Sequence, residues 1–387
     1  MGFLSGRVGF ERFYVGGDDD SPLGEKQVKT LEKFAIGSRG ALSADGVSVG
    51  FLGGDHVLDD VFDLEKNVVN DALVFAIRVD ATKPPSDLKK AYLQMEIAAL
   101  AKDNPSGFPT KKQKAEAKET VEERINQEAE DGRWDVMKQF PAMWDFRQNI
   151  VYFASSSQTA IERFGSLFNI AFGRPLTRLT AGGIGYETAA DLKQKRAYED
   201  LKPSAFVGPA DRRYEVAWIQ EDRSQQDFLG NEFLLWLWWS LDARSDAIKL
   251  NDESSAICMM SRTLSLECPL AETGKETISH ESPVRLPEAK RAILSGKLPR
   301  KSGLTLIRHD EQYDFTVTAE TLAVSSAALP KLESETLAAE RQDRIDQIRH
   351  FTESLDLLYD AFIRRRLSAH WAEDLKKLRV WLQKEED

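Results

Sequence analysis

Apolar and polar positions alternate from Gly6 to Tyr14, with Val8, Phe10, Arg12 and Tyr14 on one face. A period of two predicts a first β-strand, which the acidic turn from Gly16 to Pro22 ends. From Leu23 the spacing changes: Leu23, Val28, Leu31 and Phe34 recur at helical intervals, with Gly37 placed to cap the end. Two further strands follow at VSVGFLGG and DALVFAIRVD. In the second, Leu73, Phe75 and Ile77 alternate with partners that are also apolar, the pattern of a central strand buried on both faces. A lysine-studded interruption then runs from Lys83 to Asp145. Pro84 and Pro85 set the start of one helix, Ser86 or Asp87 can cap it, and a second helix is expected from about Thr110 to about Glu130, across a Pro/Gly joint. Strand character returns at MWDFRQNIVYFASS, and QTAIERFGSLFNIAFG reads as a Ser-capped helix closed by Gly173.

The pattern dissolves between Leu176 and Pro209, where Gly, Pro and charge predict a linker. An apolar helix follows from Phe228 to Trp239, then strands at SAICMMSRTLSLECPL, KETISHESP, SGLTLIRHD and QYDFTVTAE, with a short helix at RLPEAKRAILSG. Ile345, Ile348, Phe351, Leu355, Leu358 and Phe362 mark one stripe of a terminal helical region, Ser334 to Lys384. The expected organisation is an N-terminal lobe over 1–175 with an arm at 83–130, a linker over 176–209, a second lobe over 210–330 and helices over 331–387. The expected class is α+β, with antiparallel sheets and helices in a two-lobed body.

Composition narrows the partners. With 387 residues and 42% hydrophobic content the chain can bury real cores. A formal charge of −11 argues against a generally basic DNA-coating protein, so any nucleic-acid contact must come from a local patch. Two cysteines, Cys258 and Cys268, offer no disulfide framework and suit a reducing cytoplasm. The opening residues lack the apolar core of a signal peptide and fail the myristoylation pattern, because Gly6 stands where a serine or threonine is needed. Phe233 to Trp239, the longest apolar run, is too short to span a bilayer, so no membrane partner is expected.

Enzymatic signatures are weak, and neither cofactor nor metal is expected. The five histidines show no ligand spacing. Glu116-Ala117-Lys118 and Glu288-Ala289-Lys290 match the letters of a metal-dependent nuclease motif, but both fall in expected helices. Gly182-Gly183-Ile184-Gly185 lacks the lysine of a phosphate loop and reads as a hinge. The arm is the strongest signal. Lys111, Lys112, Lys114 and Lys118 stand against only Glu116 and Glu119, with Lys83, Lys89, Lys90, Lys102 and Arg124 nearby. Helical spacing puts Lys111, Lys114 and Lys118 along one side, able to track phosphates, while the alternative is an ordinary solvated face of mixed charge. Lys193-Lys195-Arg196, Arg212-Arg213, Lys297-Arg300-Lys301 and Arg364-Arg365-Arg366 carry the same two readings. Trp236, Trp238 and Trp239 could stack bases, but in a helix without interleaved lysines they favour core or subunit interface.

The order of these features resembles the recombination-associated RdgC family. The resemblance runs from GRVGFERFY through DALVFAIRVDATKPPSDLKKAYLQMEIAALAK and the lysine-rich KKQKAEAKETV to QTAIERFGSLFNIAFG, with a second block at FLGNEFLLWLWW. It covers nearly half the chain and rests on order and pattern; from Leu176 onward only the second block matches. It implies a non-enzymatic homodimer of horseshoe-shaped subunits, closed into a ring that surrounds duplex DNA without sequence preference and limits the RecA recombinase, in the cytoplasm and on the nucleoid. The arm would be the family's protruding helical finger. Lys111, Lys112, Lys114 and Lys118, with Lys89, Lys90 and Arg124, are then the expected DNA contacts, and Phe108, Trp236 and Trp239 the expected interface residues. A structural or protein-interaction module is the alternative, and a metal-dependent nuclease a more remote one.

Overall fold

A computed structural model describes residues 2–17, 21–44, 46–102, 104, 107–208, 216, 218–219, 225–270, 274–331 and 334–384. The N-terminal half contains strands β1 (Val8–Val15), β2 (Leu42–Ala44), β3 (Val47–Leu52), β4 (Val68–Val69), β5 (Ala72–Thr82), β6 (Asp135–Asp145), β7 (Ile150–Phe153) and β8 (Leu176–Arg178). Its helices are α1 (Glu25–Lys33), α2 (Leu64–Asn67), α3 (Ser86–Lys102), α4 (Lys111–Ala129) and α5 (Gln158–Phe172). Beyond these come α6 (Ala181–Asp191), α7 (Lys195–Glu199) and α8 (Phe228–Ala243), then β9 (Ala247–Lys249), β10 (Ser255–Glu267), β11 (Lys275–His280), α9 (Pro287–Leu294), β12 (Leu298–Arg308), β13 (Glu311–Thr318) and β14 (Val324–Ala328). Helices α10 (Leu337–Leu367) and α11 (Trp371–Gln383) finish the fold.

The class is α+β, and the two halves share one antiparallel sheet. Its order is β11-β10-β12-β13-β14-β1-β7-β6-β5-β3-β2. Strand β1 is the joint. Its later residues pair with β7, Glu11 opposite Phe153 through Tyr14 opposite Ile150, while Val8 and Phe10 pair with Ala327 and Val324 of β14. The ladder slips between Val8 and Phe10, where Gly9 lets the backbones close: a Cβ there would lie 3.2 Å from Ser325 Cα. A side chain at that point would push the strands apart.

Strand β5 explains its doubly apolar sequence. Leu73, Phe75, Ile77 and Val79 join Phe13, Trp144, Phe153 and the α5 residues Phe164, Leu167 and Phe168 in one apolar cluster. Ala72 and Val74, on the opposite face, join a second cluster that runs on through α8, α10 and the C-terminal strands. Helix α10 braces both halves through charged contacts. Arg349 meets the buried Asp145 at the end of β6 at 2.8 Å, Arg12 of β1 holds Asp356 at 2.6 and 2.7 Å, and Arg308 of β12 reaches Glu353 at 2.9 Å.

Three sequence expectations need correction. Residues 135–142, read as part of the lysine-studded interruption, join the expected strand residues 143–145 in β6, because Thr82 opposite Asp135 through Ala72 opposite Asp145 make an unbroken ladder with β5. The expected linker at 176–209 carries β8, α6 and α7, and Ala181, Gly182, Ala189 and Tyr198 are buried. Gly182, Gly183 and Gly185 lie within α6 rather than in a hinge, and Gly185 is a packing surface, since a Cβ there would lie 2.7 Å from the Tyr198 hydroxyl oxygen. Strand β14 goes unannounced, because Val324-Ser-Ser-Ala-Ala shows no alternation.

Candidate nucleic-acid interface

The arm leaves the body between two paired strands. The Lys83 amide donates to the Trp134 carbonyl at 2.9 Å, closing the β5–β6 hairpin beneath it, and α3 and α4 lie between these residues. Thr110 builds a capping box with Gln113, each side chain serving the other's backbone, so α4 starts where that turn chemistry demands. Helix α3 buries no residue; α4 buries only Ala117, Val121 and Ile125, and the two helices pack on each other. A thin two-helix hairpin of this kind keeps most of its side chains in water.

Charge on the arm is divided between bracing and display. Arg124 lies over the Tyr92 ring at 3.9 Å and pairs with Glu128 at 3.0 Å, while the Tyr92 hydroxyl donates to the same carboxylate at 3.0 Å. The Glu128 carboxyl accordingly sits below its ordinary range, foremost because Arg124 donates to it. Lys89 crosses from α3 to Glu122 of α4 at 3.1 Å, and Lys90 pairs locally with Asp87 at 3.1 Å. Three expected DNA contacts, Lys89, Lys90 and Arg124, are thus engaged within the arm. Lys112 makes only a loose 3.8 Å contact with Glu116. Lys111, Lys114 and Lys118 are exposed and have no ion pair among the described residues.

The other basic clusters are mostly spent internally. Arg364 pairs with Asp360 at 2.6 Å, Arg365 with the buried Asp374, and Arg366 with the buried Glu232 at 2.7 Å. Arg300 is held by Glu267 and Glu320, each at 2.9 Å, and Lys297 by Glu276. Lys195 lies over the Tyr186 ring at 4.9 Å. Arg212 and Arg213 lie outside the described residues. The first turns of α4 therefore display lysines that no described carboxylate answers, although the arm as a whole carries as many acidic as basic residues.

The expected interface residues separate. Phe108, in the turn between the arm helices, is 75% exposed, and its carbonyl accepts from Asn104 at 2.8 Å. Trp236 and Trp239 are buried within the chain's own core, Trp236 against Phe362 and Trp239 beneath Arg244, so they present nothing to a partner in this conformation. Glu116 and Lys118 sit on α4, Glu288 and Lys290 on α9, neither on the strand that a nuclease motif requires.

One cluster escapes sequence spacing altogether. The β12–β13 turn sets His309 against His350 of α10, ring centroids 5.5 Å apart, and His350 Nδ1 lies 2.6 Å from Glu311 and 2.8 Å from the Tyr313 hydroxyl. Burial, and the Glu311 carboxylate beside it, push the Tyr313 phenol well up, so it stays a protonated donor to Glu311. This chain of hydrogen bonds ties a turn to a helix. No group of three or more His, Cys, Asp or Glu suited to a metal is found among the described residues. Likewise, no described helix is long and apolar enough to cross a membrane.

Comparison with known proteins adds no assignment: no family model matches the chain, and no curated protein matches it.

Proposed function

We propose that this chain is a sequence-independent duplex-DNA-binding protein without enzymatic activity, acting as a homodimer whose arms help to enclose the duplex and limit a RecA-type recombinase. The observation that carries this reading is the local run of exposed lysines at Lys111, Lys114 and Lys118, without ion pairs among the described residues, at the start of α4 in an arm whose total charge is balanced. Such side chains neutralise phosphates and release counterions without reading bases. The exposed Phe108 in the arm's turn supplies an apolar contact for the partner subunit's arm. The feature order that resembles the RdgC family supports the recombination context and a location on the nucleoid.

Fluorescence anisotropy with duplexes of unrelated sequence, over a series of salt concentrations, tests the reading. Affinity should be the same for each sequence and fall linearly in log–log form with salt. Replacing Lys111, Lys112, Lys114 and Lys118 together by alanine should reduce that slope by about 3–4. Failure of the native protein to bind duplex at low salt would sink the proposal. Mass measurement should find a dimer that Phe108→Asp converts to monomer; a native monomer with and without DNA would remove the ring.

A further inference from the structure

At the root of the arm the core-facing side of the sheet runs on past the helix that covers it. Along β6 this face carries Val136, Lys138, Phe140, Ala142 and Trp144, and along β5 it carries Leu73, Phe75, Ile77, Val79 and Ala81, with Lys83 next in the same alternation. Helix α5 covers the inner part, stacking Phe164 on Phe153 at 4.3 Å, but it begins only at Gln158. Beyond its start a groove of about 350 Å³ remains. Val47, Val79, Ala81, Val136, Phe140 and Ala160 line its apolar part, and Lys83, Lys138 and Arg163 add three cations from three different elements. Thr82, Ser157 and Thr159 complete the lining.

Lys138 is the anomaly that gives the groove meaning. It interrupts an otherwise apolar stripe, directly opposite Val79, at the exposed outer part of β6. Lys83, Lys138 and Arg163 have no ion pair among the described residues. Of the carboxylates near them in sequence, Asp80 holds Arg78 at 2.7 Å, while Asp135 accepts from Thr82 at 2.8 Å and Glu162 from Gln158 at 3.0 Å, and none of the three forms an ion pair with these cations. Like charges brought to one groove without a counterion repel one another, and an anion held among them relieves that repulsion.

The geometry points to a phosphate-binding site in this groove. Resting on the DNA-binding reading for the source of its ligand, it takes a backbone phosphate of the duplex, which the arm's lysines would then flank further out. The apolar wall brings the cations side by side, and the hydroxyls of Ser157 and Thr159 supply neutral donors to the remaining phosphate oxygens.

Two measurements on the full chain separate this site from the reading it deepens. The variant carrying Lys83→Ala, Lys138→Ala and Arg163→Ala should bind duplex with a salt slope reduced by about 1–3, one for each phosphate that is no longer neutralised. Inorganic pyrophosphate should raise the melting temperature of the native protein and of the Lys111/Lys112/Lys114/Lys118→Ala variant, but not that of the root variant. Lys138→Glu alone serves as a second variant if the triple substitution fails to fold, and should likewise abolish the shift. Duplex binding with an unchanged slope in a folded root variant overturns the backbone-phosphate assignment. A pyrophosphate shift that survives in that variant overturns the site itself. If the native protein binds no duplex yet shows a pyrophosphate shift that depends on Lys138, the DNA reading fails while the groove stands as a site for free phosphate compounds.

Discussion

A single missing methyl decides how α8 sits. Gly230 lies so close to the sheet that a Cβ there would fall 1.8 Å from the Ala319 carbonyl oxygen and 3.1 Å from Ala181 Cβ. Backbone on the far side cannot yield as a flexible side chain would. Gly230→Ala should therefore cost about 2–3 kcal/mol, the upper range for overpacking, read as a fall in the urea midpoint; a midpoint equal to that of the native protein would contradict the packing. The sequence around Gly230 shows an apolar helix clearly enough, and Trp238 is buried as such a helix demands. It does not show which residue must be small, because that depends on a carbonyl from the loop beyond β13. The same blindness made Gly185 look like part of a hinge. His309 and His350 were invisible as a pair for a related reason: only the β12–β13 turn and α10 bring them together.

Elements whose ends carry their own chemistry were readable. Thr110 with Gln113 starts α4, Gly173 in the left-handed region stops α5, and the doubly apolar β5 is central. The arm follows from these local signals, and it should also be separable. Since α3 buries nothing and α4 buries three small or branched residues against its partner helix, replacing residues 84–133 by a short turn should leave the body folded, with a melting temperature within about 5 °C of the native value. Calorimetry checks this; loss of cooperative unfolding would mean that the arm belongs to the core. The charge of individual arm residues was less legible than the helices. Lys89 looks like a displayed cation in sequence, yet it faces Glu122 across a helix pair whose register only the fold determines, whereas the pairing of Arg124 with Glu128 follows the i,i+4 spacing of a single helix.

For the molecule as a whole, stability is tied to carboxylates that remain ionised. Burial raises the Asp374 carboxyl, but hydrogen bonds from Arg365 and Arg244 outweigh it and leave the group below its ordinary value. Asp59 follows the same balance, with Lys66 and the amides of Asp55 and Val61 outweighing burial. Asp252, hydrogen-bonded by Ser254 and Arg308, is lowered to about 2. Each depressed group contributes stability that is fully present above the unfolded value of about 3.9 and is lost as pH falls through the folded value. Urea midpoints should therefore hold steady near pH 5 and drop between about pH 4 and pH 2. Constant midpoints down to pH 3 would show that these contacts do not contribute. The α+β class was legible in the sequence, whereas the continuity of the sheet was not, because the weakly patterned β14 closes it. That closure puts the order of synthesis into the architecture. Val8 meets Ala327, so the outer edge of β1 must await a strand made more than three hundred residues later, on the order of 15–60 s at ordinary translation rates. Until then β8 can cover only Phe13 to Val15. Each newborn chain thus carries an open strand edge through most of its synthesis, and one cut short before Val324 would carry it permanently, free to pair with a neighbour.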